Sequence, residues 1–383
     1  MRICLVYDCL FPHTVGGAER WYRNLSERLA AEGHDVTYLT LRQWERDDQP
    51  RIEGVRVVAV GPPMELYAHG RRRIAPPLRF GAGVLWHLLR RGRRYDVVHC
   101  SSFPYFSLLA AALARPLGRY SLVVDWLEVW SPAYWRSYLG RAGWIGAAVQ
   151  RRCARLRQQA FCLSELHAQR LRDEGLKGEV TVLRGLMSGP VEREEPLEAT
   201  PLVVFAARLI PEKNAPLAVE AIALAARSLP ELRGVIFGDG PDGDAVRARV
   251  AALPDPAIIE VPGFVDAAVV HDAIRHACCL LAPSRREGYG LVVVEAAAVG
   301  TPSILVRGPD NAAIELLEEG VNGVIAASSE PGDLAAAILA VAAAGPALRA
   351  STSDWFARNA ESLSIERSIE TVLALYEPAR VRA

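Results

Sequence analysis

The sequence has no C-x-x-C pair. Its seven cysteines are an odd number, Cys278 and Cys279 are adjacent, and such spacing suggests neither a disulfide framework nor a zinc site. A reducing, cytosolic compartment is the expectation. No sign of charge prevails, because 44 basic side chains face 44 acidic ones, so the net charge by itself assigns no partner. The longest apolar stretch is read from Phe103 to Ala114, short of the roughly twenty residues a spanning helix needs, and reads as a buried helix. The opening residues MRICLVYD enter a strand-like run without the layout of a signal peptide, so export is not expected. No period of about 20 to 50 residues recurs, which argues against a solenoid. What is present is an ordinary globular composition, 51% apolar and 23% charged, in 383 residues. That length suits two domains, each able to bury its own core.

Short β-branched runs alternate with helical patterns throughout. ICLVYD, DVTYLT, VRVVAV, DVVHC, SLVVDW, FCLS and VTVL form a first set, with an amphipathic stretch from about Gly17 to Ala31 after the first run. A second set, PLVVFAA, RGVIFG, AIIEVPG, CCLLAPS and PSILV, follows a Glu- and Pro-rich segment. This rhythm predicts an α/β protein with two Rossmann-like, doubly wound domains. The expected boundaries are 1–188 for the first domain, 189–200 for the linker, 201–365 for the second domain, and a terminal helix over 366–383 packing back on the first. Ligands of such domains gather at the carboxyl ends of the strands, which places the expected site in a cleft between the two.

Four segments of the second half carry most of the chemistry: AARLIPEKN (206–214), FGDGP (237–241), PGFVD (262–266) and PSRREGYGLVVVEAAAVGTP (283–302). Arg208 and Lys213 follow a strand on one loop, where two cations can converge on a diphosphate. Glycines at 288 and 290 flank Tyr289 and precede Leu291. Propensity reads LVVV as a strand, yet glycine permits close backbone approach and a helix start near Gly290 presents N–H groups to phosphate oxygens, so a helix is expected there. Gly240 and the Gly263, Phe264, Val265 turn end two further strands and can bring backbone groups to a nucleobase. Asp242 and Asp244 form a D-x-D between a turn and a helix, where acids favour the helix dipole, so no metal is expected.

In this order and spacing the four segments resemble glycosyltransferase family 4, retaining nucleotide-sugar enzymes of the GT-B fold, over nearly the whole second domain. The resemblance implies a transfer reaction with a nucleotide-diphosphate sugar as co-substrate, no metal and no other cofactor. It implies that Arg208 and Lys213 hold the diphosphate leaving group, that Glu287 serves the sugar or positive charge at its anomeric carbon, and that Glu295 accepts from the ribose. In the first half, PHTVGGAER (12–20) carries Gly16 and Gly17, which match the family loop facing the donor phosphates, and His13 is close enough to reach the cleft. One departure concerns the strand SLVVDW: where the family has a histidine near the donor sugar, Asp125, Trp126 and Leu127 stand here with Glu128 next, and Asp125 and Glu128 are the substitute candidates for the sugar or acceptor pocket. The family's P-N-G is likewise replaced by Leu183, Arg184 and Gly185.

Charge is segregated although its sum is zero. From Arg71 to Ala160 there are sixteen Arg, no Lys and three acids, Asp96, Asp125 and Glu128, hence 16 − 3 = +13. Trp and Tyr side chains are interleaved, including Trp86, Trp130 and Trp144, which suits an anionic or lipid-linked acceptor, or a glycan, and peripheral contact with the inner face of a membrane. No nucleic-acid-binding motif accompanies the arginines. Two other readings remain open on sequence: a nucleotide-sugar epimerase of the same fold, which needs no acceptor site, and an inactive nucleotide-sugar-binding subunit, which the missing histidine would suit.

Overall fold

The structure, a computed structural model, describes residues 1–45, 48, 50–68, 71–188 and 197–376, the side chains of 67, 68, 71 and 72 excepted. Most of the expected linker (189–196) and the end of the expected terminal helix (377–383) lie outside the described residues. The chain divides into two compact units, Met1–Leu186 with the segment from Ile365, and Met187–Ser364.

In the first unit the elements run β1 (Arg2–Val6), α1 (Gly17–Ala31), β2 (Asp35–Leu41), β3 (Val55–Gly61), β4 (Tyr67–Ala68), β5 (Arg71–Arg72), α2 (Ala75–Arg91), β6 (Val97–Ser101), α3 (Tyr105–Gly118), β7 (Ser121–Trp126), α4 (Pro132–Leu139), α5 (Gly143–Ala154), β8 (Gln159–Cys162), α6 (Glu165–Asp173) and β9 (Val180–Val182). Seven of the strands form one sheet in the order β3-β2-β1-β6-β7-β8-β9, and every pairing is parallel. Central strands of such a sheet are covered on both faces, which is why β1 and β6 are buried almost end to end rather than alternating. Successive crossovers step left from β1 to β3 and then jump to β6, so the direction of winding reverses between β1 and β6.

The second unit repeats the plan with β10 (Leu202–Ala206), α7 (Ala215–Ala226), β11 (Arg233–Phe237), α8 (Gly243–Ala251), β12 (Ile259–Gly263), α9 (Ala267–His276), β13 (Cys279–Ala282), β14 (Arg286–Glu287), α10 (Leu291–Ala298), β15 (Ser303–Val306), β16 (Asp310–Asn311), β17 (Gly323–Ala326) and α11 (Pro331–Leu363). Its parallel sheet has the order β12-β11-β10-β13-β15-β17, with the reversal between β10 and β13. Val203, Phe205, Ile222, Ile236, Leu281 and Ile304 are among the side chains that fill its core. The final helix, α12 (Ile365–Tyr376), belongs to the first unit, where Ser368 Oγ accepts from Gly185 N at 3.1 Å.

Besides the two-residue strands β4, β5, β14 and β16, two features depart from the sequence reading. Strand β17 was not expected, since GVIA is four residues between glycine and polar neighbours and too brief to show a period. The most apolar long helix is α11, not the stretch at Phe103. It bends at Gly345 (φ 52°, ψ −137°), which Pro346 follows, and its first part packs Leu334, Ile338 and Val341 into the core of the second unit.

Candidate active site

Where winding reverses, two neighbouring strands send their loops apart and leave a crevice at their carboxyl ends. In the second unit those loops are 207–214 after β10 and 283–290 after β13. Four hydrogen bonds hold the first loop in place. Asn214 adopts the left-handed conformation (φ 56°), and its buried Nδ2 donates to Pro283 O at 2.8 Å. Arg285 N donates to Glu212 O at 2.8 Å. On the other side, Leu209 N donates to Asp239 O and Asp242 N to Leu209 O, both at 2.9 Å, tying this loop to the one after β11. Asparagine at 214 fits because it tolerates φ > 0 better than most residues, which frees its amide to reach across to the neighbouring loop.

That anchoring brings Lys213 and Glu287 together. Lys213 Nζ donates to Glu287 Oε2, and the two side chains are 15% and 23% exposed. Arg286 and Glu212 approach to 3.8 Å across the same loops. Glu287 is held by the pairing of β14 with β16, and Asn311 fixes that corner by donating Nδ2 to Ser284 O at 3.0 Å and Val306 O at 2.9 Å. An ion pair this sheltered lies between an exposed pair, worth about 0–1 kcal/mol, and a buried one, whose breakage costs about 3–5 kcal/mol. It leaves an ammonium within reach of solvent, able to exchange a carboxylate partner for phosphate oxygens. Lys213 is also one of only two lysines in a chain with 42 arginines. A compact point charge stands here instead of a planar fork.

Gly290 begins α10 at φ 103°, and a Cβ there would lie 2.7 Å from the Ala313 Cβ, so only glycine fits. The helix therefore starts immediately after Gly290 despite the strand propensity of LVVV, and its first N–H groups have no intrahelical acceptor. Gly288 and Tyr289 are buried, Leu291 is half-buried, and Glu295 is half-buried on the second turn of α10. Arg208 occupies the same loop as Lys213, but its side chain is exposed and does not pair with Glu287. The structure thus joins two of the three residues expected to carry the chemistry.

The remaining loops of the second unit crowd the same strand ends. A Cβ on Gly238 (φ 125°) would run into the carbonyl oxygen of Ala207, and one on Gly240 (φ 153°) into that of Leu209, so both glycines permit the close approach of neighbouring loops. Gly263 (φ 82°) accepts at its carbonyl from Gly238 N at 2.9 Å, and has open space around its Cβ position. Next to it Phe264 is 71% exposed and Val265 half-buried. Asp242 occupies the N-cap position of α8, where burial first and Glu212 second push its carboxyl above the ordinary value. Asp244 pairs instead with Arg247 at 2.7 Å.

The first unit uses its strand ends differently. Gly16 caps α1 with extended backbone and Gly17 opens the helix, while His13 is exposed, with its ring 6.0 Å from that of Trp44. Gln43 secures the loop: its Oε1 accepts from Leu10 N at 3.0 Å and Thr14 Oγ1 at 3.2 Å, and its Nε2 donates to Asp8 O at 2.7 Å. Asp125, expected in the sugar or acceptor pocket, is only 2% exposed. Its Oδ2 accepts from Trp21 Nε1 at 2.8 Å and its Oδ1 from His99 Nε2 at 2.7 Å. His99 Nδ1 in turn meets the Tyr376 hydroxyl of α12 at 2.5 Å. Burial, reinforced by the charge of Asp125, pushes the Tyr376 phenol up, so it stays a donor. With both oxygens engaged inside the unit, Asp125 is a core ligand for its neighbours rather than an open acid. Glu128 is half-buried and accepts from Trp130 Nε1 at 2.7 Å. His99, Asn214, Gln43 and Asn311 were missed in the sequence. Only His99 left a signal there, as a lone polar residue inside the apolar run DVVHC.

Both halves of the chain match known protein families. Residues 16–185 match the model of a glycosyl transferase 4-like domain, and residues 191–353 that of the glycosyl transferases group 1. The chain is 27% identical over 367 residues to the glycogen synthase of Mycobacterium tuberculosis, covering 89% of this chain and 86% of that enzyme. Among solved structures it is similar to the sucrose-phosphate synthase of Thermosynechococcus elongatus, with a TM-score of 0.81, 16% identity and full coverage of both chains. It is similar also to Anabaena HepE, crystallised with UDP-glucose, with a TM-score of 0.75, 16% identity and coverage of 99% and 100%. At such identity these two structures show a shared fold. With both of its halves matched, the chain belongs to the glycosyltransferases of family 4, built on the two α/β domains of the GT-B fold.

Proposed function

We propose that the protein is a retaining, metal-independent glycosyltransferase that moves a hexosyl or deoxyhexosyl group from a nucleotide-diphosphate sugar to a hydroxyl acceptor, glycan or lipid-linked, at the inner face of a membrane. The observation that carries the reading is the Lys213–Glu287 pair beside the start of α10, at the winding reversal of the second unit. The hard step is departure of the diphosphate as the sugar gains oxocarbenium character. Lys213, Arg208 and the first N–H groups of α10 stabilise the charge that develops on the leaving group, and Glu287 faces the sugar. A preorganised donor of this kind is worth on the order of 100-fold or more in rate. In the transfer, the C1–O bond to the β-phosphate breaks, a C1–O bond to the acceptor forms on the same face, and the acceptor proton passes to the leaving phosphate. Glu295 accepts from the ribose hydroxyls, while the loops at Gly240 and Gly263, with exposed Phe264 alongside, serve the base. The crystal of HepE with UDP-glucose supports a nucleotide-sugar donor. Incubation of the purified chain with UDP-, GDP- and dTDP-sugars and a hydroxyl acceptor, followed by NMR of the product anomer, tests the reading. It predicts a product with the donor's anomeric configuration and full activity in EDTA; inversion at C1, or binding without turnover across the panel, would contradict it.

A further inference from the structure

We propose that the outer face of the helical layer α2–α3–α5 of the first unit docks on an anionic lipid bilayer. These three helices pack side by side, α2 on α3 and α3 on α5. Helix α2 buries one side, with Phe80, Val84 and Leu88, yet its opposite side is apolar too. Ile74, Leu78, Ala82 and Trp86 follow one another at steps of four and are all exposed. A helix that is apolar all round needs a second cover. The same holds along the layer: Leu113 and Leu117 are exposed on α3, and Trp144 (69%) and Ile145 at the start of α5. Nine of the twelve large apolar side chains exposed among the described residues lie between Ile74 and Ile145.

Charge selects the cover. This stretch lies within the segment of net charge +13; exposed Arg90 and Arg91 close α2, exposed Arg94 ends the turn that follows it, and exposed Arg152 closes α5 beside Arg151, which pairs with Glu174. Arg90 lies 3.3 Å from the centre of the Trp86 ring, so cation and aromatic present one joint surface. Aliphatic and tryptophan side chains ringed by arginines match the boundary of acyl chains and anionic headgroups, where the former insert and the latter pair. A second copy of the chain would set arginines against arginines, and a polyanion without acyl chains would leave the apolar stripe in water.

Sedimentation of the full chain with vesicles, without donor or acceptor, tests this independently of the transferase reading. Vesicles of equal parts phosphatidylglycerol and phosphatidylcholine are expected to pull the protein down, and phosphatidylcholine alone is not. Raising salt from 0.1 to 1 M, which shortens the screening length from about 10 to 3 Å, should release it. The triple change Arg90→Ala/Arg91→Ala/Arg94→Ala should weaken binding ~100-fold, and Trp144→Ser ~10-fold, both with unchanged melting temperature and donor hydrolysis. Equal affinity for neutral vesicles, no sedimentation of the wild type, binding to heparin in place of vesicles, or a solution dimer that Trp144→Ser dissociates would each overturn the proposal.

Discussion

The two units share a strand plan and differ in what they do with polar side chains at the strand ends. In the second, the loops at the winding reversal hold Lys213 against Glu287 where solvent still reaches both. In the first, the conspicuous acid Asp125 is sealed between Trp21 and His99, and the loop after β1 turns on glycines and an amide. Topology therefore locates a crevice in each unit without saying which is chemical, and the proposed function places the chemistry at the one whose charged pair solvent still reaches.

The comparison breaks most visibly if Lys213 is removed. Lys213→Ala is expected to lower turnover by about 100-fold or more, while the melting temperature moves by only a few degrees, because the pair is partly solvated; steady-state kinetics beside calorimetry checks both. Gly290→Ala strikes the same site through the backbone. With φ 103° and the Ala313 methyl in the way, a loss of about 2–3 kcal/mol is expected, read as a lower urea midpoint, together with weaker donor binding. Asp125→Ala tests the contrasting unit: it leaves the Trp21 indole and the His99 ring without their buried acceptor. It should cost about 2–4 kcal/mol of stability, with kcat and KM of the folded fraction nearly unchanged. A fall in kcat larger than the loss of folded protein would move Asp125 into the chemistry.

The smallest effect is a pH dependence confined to the first unit. Burial, with Arg91 nearby, lowers the His87 pKa to about 4 from its ordinary 6.5, and the ring pairs with the Tyr95 hydroxyl at 2.8 Å. The unfolded chain therefore binds the proton first. The contribution of neutral His87 is complete above pH 6.5 and is lost as pH falls toward 4, by about 1–3 kcal/mol. His87→Gln should flatten that part of the stability profile measured by urea titration, and an unchanged slope would assign it to other groups.

Much of this plan was legible in the chain. Apolar runs of five or six residues marked the long strands because parallel strands are covered on both faces, and Gly290 with the segment around it signalled a helix start against the propensity of LVVV. β17 was too short to stand out. The anchors of the site were hidden for another reason: Asn214 and Asn311 act on carbonyls 69 and 27 residues away, contacts that no local spacing encodes. The burial of Asp125 was not legible because alignment to a pattern places a residue on a strand but not its degree of burial, which here depends on Trp21, His99 and a helix from the end of the chain.

Calorimetric titration of the full chain with UDP and UMP, and with GDP and GMP, tests the central claim most directly, with Lys213→Met in parallel. If Lys213 receives the diphosphate, at least one diphosphate binds tenfold or more tighter than its monophosphate, since one added charge-assisted contact is worth about 1.5–3 kcal/mol, and Lys213→Met shrinks that difference by about tenfold or more. Equal affinity for mono- and diphosphates in the wild type, or a preference undiminished in Lys213→Met, would contradict it.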